Sequence, residues 1–135
     1  MSRRLRPRGT AMTIRVGDVL KAAGCPLVEV AADEPLPSVA GMMAFAGLSA
    51  VLQVAPCGRP VRLLSEQCLA HALIADRHET ARAGVPWCTP ADELPGVVDV
   101  MLQSREQAVL VEHQGDRIAI LTLDAVADFL CDRVV

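Results

Sequence analysis

The chain repeats itself. At an offset of 58 positions, Leu36-Pro37 falls on Leu94-Pro95, Val39 on Val97, Met43 on Met101 and Ala50-Val51-Leu52 on Ala108-Val109-Leu110. One residue then drops out, and at an offset of 57 Gly58 falls on Gly115, Leu64 on Leu121, Ser65 on Thr122, Ala70 on Ala127 and Leu73 on Leu130. Self-similarity that keeps helix, turn and strand positions in register constrains a fold more than any single motif. Two copies are too few for a solenoid, so they predict two like units that bury a face against each other.

Length and composition agree with that arrangement. At 135 residues the chain makes one ordinary domain or two halves too small to be stable apart. Hydrophobic residues make up 52% and aromatic residues 2%, so burial rests on Val, Leu, Ala, Ile and Met. A net charge of −3 and the scarcity of base-stacking rings argue against nucleic acid as a partner. Arg3, Arg4, Arg6 and Arg8 stand apart as a basic arm without hydrophobic periodicity, expected to be solvated and mobile. No apolar run follows them to make a signal peptide, and none approaches the roughly 20 residues that span a bilayer. The expectation is a cytoplasmic protein without membrane contact. Cys25, Cys57, Cys68, Cys88 and Cys131 include no C-x-x-C pair, which predicts buried free thiols and no metal site.

Taken in order, residues 14–23 read as a helix with Val16, Val19, Leu20 and Ala23 on one stripe, stopped by Gly24. A strand at residues 27–30 precedes a helix whose stripe is Leu36, Val39, Ala40 and Met43, with the Met42-Met43 pair as core filling and Gly47 as its end. Residues 49–54 and 60–64 make a hairpin around Pro56-Cys57-Gly58, and Ser65 caps a helix that buries Cys68, Leu69, Ala72 and Leu73. Residues 74–84 are a charged linker. The second half repeats the order: a strand at residues 85–88; a helix capped by Asp92 with Leu94, Val97, Val98, Met101 and Leu102 inward; a hairpin around Gln114-Gly115-Asp116; and a helix capped by Thr122 with Ala125, Val126, Phe129 and Leu130 inward.

The lead-in VGDVL at Val16, the paired segments DEPLPSVAGMM and DELPGVVDVML, the strands AVLV and GDRIAILT, and the helix starts LSEQCL and LTLDAV carry a resemblance. In this order they resemble tandem cystathionine-beta-synthase-type (CBS) domains, the regulatory pair called a Bateman module, from about Val16 to Leu130. The implied fold is α+β, two βαββα units packed about a pseudo-twofold axis. The first unit would cover residues 14–77 and the second residues 78–135, behind a mobile arm at residues 1–13. In that family adenosine-containing ligands such as AMP, ATP or S-adenosylmethionine sit in clefts between the units. The cleft motif is Gly, two apolar residues, Thr or Ser, two further residues, then Asp. A helix start offers unpaired N–H groups to phosphate, and a carboxylate accepts both ribose hydroxyls.

This chain keeps the hydroxyls, Ser65 and Thr122, while the Asp position falls on Cys68 and Ala125 and the Gly position on Arg62 and Ala119. Asp124 comes one residue early, about 100° away around the helix. Ser65 and Thr122 are N-caps or phosphate ligands; Arg62 is a solvated strand-face side chain or an anion ligand. Trp87, on the strand that flanks the adenine pocket in the resembling family, is core or a ligand platform. His71, His78 and His113 have no partners at a catalytic spacing, so no enzyme is expected. The resemblance implies a regulatory or sensor protein working as a homodimer on another protein. The alternative on the same fold is a structural dimerisation module with empty clefts.

Overall fold

A computed structural model of the chain describes residues 13–66, 69–70, 85–104 and 106–134. The arginines of the arm, the linker, Cys68, His71 and His78 lie outside those residues. The described elements are α1 (Val16–Ala22), β1 (Glu29–Ala31), α2 (Leu36–Ala46), β2 (Ala50–Val54) and β3 (Pro60–Ser65), then β4 (Trp87–Cys88), α3 (Leu94–Gln103), β5 (Ala108–His113), β6 (Asp116–Thr122) and α4 (Leu123–Val134). Glu66, Leu69 and Ala70 are helical as well, in the place that α4 occupies in the second half.

The repeat is reproduced pair by pair. Two three-stranded sheets, in the orders β1-β2-β3 and β4-β5-β6, each join a parallel pair to an antiparallel hairpin. Ala50 faces Ser65 as Ala108 faces Thr122, and both hairpins carry a bulge at the same position, after Gln53 and after Val111. The residue lost between the copies comes out of the hairpin turn. Ala55 and Arg59 close a three-residue loop that ends on Gly58 at φ 90°, whereas His113 pairs with Asp116 around two residues, Gln114 and Gly115, at φ 53° and 85°. Positive φ at both central positions is the type I′ geometry that matches strand twist, so the second hairpin closes with one residue fewer.

Alternation along the strands divides two faces. One face of each sheet meets the other sheet: Ala50, Leu52 and Leu63 pack with their repeat partners Ala108, Leu110 and Ile120. An interface that uses the same positions from both halves has the geometry of an isologous contact, here within one chain. The opposite faces carry the helices. Val51 and Leu64 pack with Val39, Met43 and Leu69, while Val109, Val111 and Leu121 pack with Leu94, Val97, Met101, Val126 and Phe129.

Chain order groups α1 with the first half, but packing groups it with the second, since Val16 and Val19 are buried in the core that contains Met101 and Phe129. The contact is fixed by backbone bonds: Val16 N–H donates to the Asp92 carbonyl at 3.0 Å, Gly17 N–H to Pro90 at 2.9 Å, and Leu94 N–H to Ile14 at 2.9 Å. A Cβ on Gly17 would come within 3.3 Å of the Pro90 carbonyl oxygen, so a glycine there permits the approach.

Several local expectations change. α1 starts at Val16, because Arg15 is spent on a bridge to Glu93, and its N–H donates to Asp18 Oδ2 at 2.9 Å. Asp92 does not cap α3: its carboxylate accepts the Thr89 N–H at 2.8 Å, and Glu93 holds the cap position without a side-chain bond. Leu102 is 57% exposed and Leu130 39%, each one position beyond a buried neighbour and therefore about 100° around its helix. Cys88 is buried, but Cys57 and Cys131 are exposed.

Candidate functional site

A cavity of about 260 Å³ lies where the two halves converge, and its lining includes Ser49, Ser65, Glu66, Glu106, Thr122 and Asp124. Local structure puts them there. β3 and β6 both end on the hydroxyl residue, and both pass directly into helix. Glu66 N–H donates to the Ser49 carbonyl at 3.1 Å, and its repeat partner Leu123 N–H donates to Gln107 at 3.0 Å. Two helix starts are thus presented to one space by the same backbone device.

Thr122 is an N-cap: its Oγ1 accepts the Ala125 N–H at 3.2 Å, which satisfies one of the donors a helix start leaves open. The cap turns residues 124 and 125 apart. Ala125 packs against the second core, whereas Asp124 lines the cavity beside Thr122. A carboxylate at position 125 would therefore point into apolar packing, whereas the one at position 124 faces the cavity. Helical rotation, which on sequence grounds turned Asp124 away, brings it in.

Of the five candidate residues the cavity unites Ser65, Thr122 and Asp124. Arg62 points elsewhere. It stands three residues before Ser65 on a strand, hence on the opposite face, and its Nε donates to Gln53 Oε1 at 2.7 Å. On this strand face it partners a buried amide. Trp87 is 60% exposed, so it is not core, and it borders a second cavity of about 350 Å³ with α3. Sequence reasoning missed Glu66 and Glu106. Glu66 was legible as the residue after the capping serine; Glu106 lies in the connection into β5, where no periodicity marks a facing direction.

The cavity is acidic. Among the described residues its lining carries three carboxylates, Glu66, Glu106 and Asp124, and no basic side chain. Unit charges about 4 Å apart interact by about 1 kcal/mol in bulk water and about 4 kcal/mol near a protein surface. A carboxylate with no cation beside it repels a phosphate and attracts a cation. On the outer side the halves are tied by an ion pair, Arg117 Nη2 to Glu29 Oε2 at 2.8 Å.

No protein-family model matches the chain, and no curated protein matches its sequence. Solved structures do. The CBS-domain containing protein ATU1752 from Agrobacterium tumefaciens superposes with a TM-score of 0.72 at 21% identity, over 93% of this chain and 98% of that one. The CBS domain pair of protein MJ0100, in complex with 5'-methylthioadenosine and S-adenosyl-L-methionine, gives 0.73 at 14% identity, over 90% and 98%. The chain folds as a CBS-domain pair. The CBS domain protein TA0289 from Thermoplasma acidophilum shares that fold with a TM-score of 0.71 at 16% identity, over 87% of this chain and 70% of that one. A CBS pair is thus the α+β architecture of two βαββα units expected from the repeat.

Proposed function

We propose that this CBS pair is a non-enzymatic regulatory protein that binds a phosphate-free adenosine derivative between its halves and relays occupancy to a partner protein. The observation that carries this reading is the central cavity, in which the hydroxyls of Ser65 and Thr122 stand among carboxylates. Hydroxyls and carboxylates accept hydrogen bonds from ribose, and the local charge suits a sulfonium or ammonium group better than a phosphate. S-Adenosylmethionine and 5'-methylthioadenosine fit that description; AMP and ATP fit it poorly. The CBS pair of MJ0100 in complex with those two ligands supports the choice.

The reading includes a homodimer. Repeat-related helices α2 and α3 carry apolar groups outward, Phe45 at 94% exposure and Val100 and Leu102 near half, and two copies of such faces meet readily across a twofold axis. No helix among the described residues is long and apolar enough to cross a membrane.

A thermal-shift panel of 5'-methylthioadenosine, S-adenosylmethionine, AMP, ADP, ATP and NAD tests the ligand class. A ligand at a hundredfold excess over Kd stabilises the native state by about 2.7 kcal/mol, a shift of several degrees for so small a chain. The first two compounds raise the melting temperature and the phosphorylated ones do not. A flat panel would leave a structural dimerisation module as the better description.

A further inference from the structure

Charge is unevenly divided along this chain. Residues 1–13 hold four of the thirteen Lys and Arg and none of the sixteen Asp and Glu. From Ile14 onward nine basic residues therefore meet sixteen acidic ones, a charge of −7 that the arginine arm lowers to −3. Part of this acidic excess is ordered. Asp124, Asp128 and Asp132 follow one another at intervals of four along α4, so they form one row, and all three are exposed. Like charges at that spacing repel. Among the described residues the row has no ion pair, and Arg133, the one basic residue of the helix, stands neither three nor four positions from any of the aspartates. Beside the row, the exposed Ala127, Leu130 and Cys131 give the outer face of α4 an apolar flank.

The row belongs to one half only. At the offset of 57 its three positions fall on Gln67, His71 and Ala75 in the first half. The half that carries the row is also the half in which the arm is rooted: Ile14 packs against the core that holds Val126 and Phe129 of α4, and its carbonyl accepts the Leu94 N–H. We propose that Arg3, Arg4, Arg6 and Arg8 dock on this outer face of α4 in the same chain, with their guanidinium groups along the aspartates and Leu5 beside the apolar flank. A guanidinium matches a carboxylate with two parallel donors. The row is about 12 Å long at 1.5 Å per residue, and the nine residues before Thr13 reach up to about 30 Å when extended, so the tether permits the contact. Tethering holds the arm at roughly millimolar effective concentration, which lets exposed ion pairs that are weak one by one act together. A segment bound through its charges has no need of hydrophobic periodicity, and the arm has none.

Trypsin reads the arm directly, because it cleaves after arginine. The full chain is digested briefly at low ionic strength and cleavage after Arg4 and Arg8 is timed by mass spectrometry, with a free peptide of residues 2–12 as the reference for the protease's own response to salt. The docked arm is cut more slowly than the peptide, and at roughly 1 M salt, where the Debye length is about 3 Å, the two rates meet. Asp128→Asn combined with Asp132→Asn removes two carboxylates outside the central cavity and the core. At low salt it speeds cleavage of the arm about fivefold while the far-UV dichroism stays native. Should the double change disturb the helix, Asp132→Asn alone speeds cleavage about twofold. Equal rates for arm and peptide at low salt, or an arm as protected in these variants as in wild type, would overturn the assignment. So would protection that is lost on dilution in step with the light-scattering mass, which would put the arm on a second copy of the chain.

Discussion

Arg62 Nε donates to Gln53 Oε1 at 2.7 Å, and these two residues face each other across the β2–β3 pair where Ala119 faces Val111 in the second half. One polar cross-strand pair has replaced one apolar pair at the same point of the repeat. Gln53 is 4% exposed, and its Nε2 reaches the Ala32 carbonyl at 3.5 Å, its one partner among the described residues besides Arg62. The amide therefore leans on Arg62. Arg62→Ala should cost about 1–3 kcal/mol, the penalty for stranding a buried polar group, whereas Gln53→Val with Arg62→Ala, copying the second half, should cost less than the single change. Urea denaturation of the two single variants and the double variant closes the cycle; additive losses would mean that the pair is not coupled.

Met101 and Phe45 separate stability from assembly. Met101 is fully buried in the second core and Phe45 is 94% exposed at the end of α2. A buried methionine cut to alanine loses about 2–5 kcal/mol, and Met101→Glu should unfold the chain, because an unpaired charge would enter the core. Phe45→Glu should leave the far-UV dichroism native, since no core residue is changed, and lower the melting temperature only by the stabilisation that association supplied, while shifting the light-scattering mass from dimer to monomer. A monomeric wild type, or a dimer indifferent to Phe45→Glu, would remove the homodimer from the proposed function.

The repeat made most of the fold legible, because an offset that holds through helix, strand and turn can be kept only by two units with one topology. Ala50 and Ala108, Leu52 and Leu110 coincide at that offset, and both pairs lie where the two sheets meet. The site of α1 was not legible. The Val16–Val19 stripe says that a face is buried but not against which half, and the answer depends on Gly17 approaching Pro90. The candidate site was half legible. Ser65 and Thr122 follow from the hydroxyl at each helix start, but the resemblance put the carboxylate position on Ala125, and the rotation set by the Thr122 cap turns Asp124 toward the cavity. Trp87 sits on a strand of two residues, too short for alternation to decide between core and surface.

Alkaline pH should weaken the fold through Cys88. Burial, with a smaller push from the Asp92 carboxylate, raises this thiol to about 12, against about 8.5 for an unperturbed cysteine. Below the lower value both states hold the proton and stability does not depend on this group. Between the two the native state keeps a proton that the unfolded state has released, so stability falls as pH rises, by about 1.4 kcal/mol per pH unit. Cys88→Ala should be less stable at neutral pH, since it leaves a small cavity, yet lose less between pH 9 and 11. Denaturation midpoints measured across that interval give the two slopes; parallel slopes would assign the alkaline loss to other groups.

Asp124 should set the charge preference of the central cavity. It stands in the first turn of α4, where a carboxylate complements the helix dipole, and it lines the cavity beside Thr122. Asp124→Asn preserves shape and removes one charge. If the carboxylate acts through its field, about 1 kcal/mol of repulsion disappears for an anion and the same attraction for a cation, roughly a fivefold change in affinity each way. AMP should then bind about fivefold tighter than to wild type, S-adenosylmethionine about fivefold weaker, and neutral 5'-methylthioadenosine unchanged. Titration calorimetry with the three ligands, which share an adenosine core and differ in charge, separates the alternatives. A common loss for all three would make Asp124 an acceptor for the ribose instead, doing from position 124 what the resemblance expected of position 125; no change for any of them would take Asp124 out of the site.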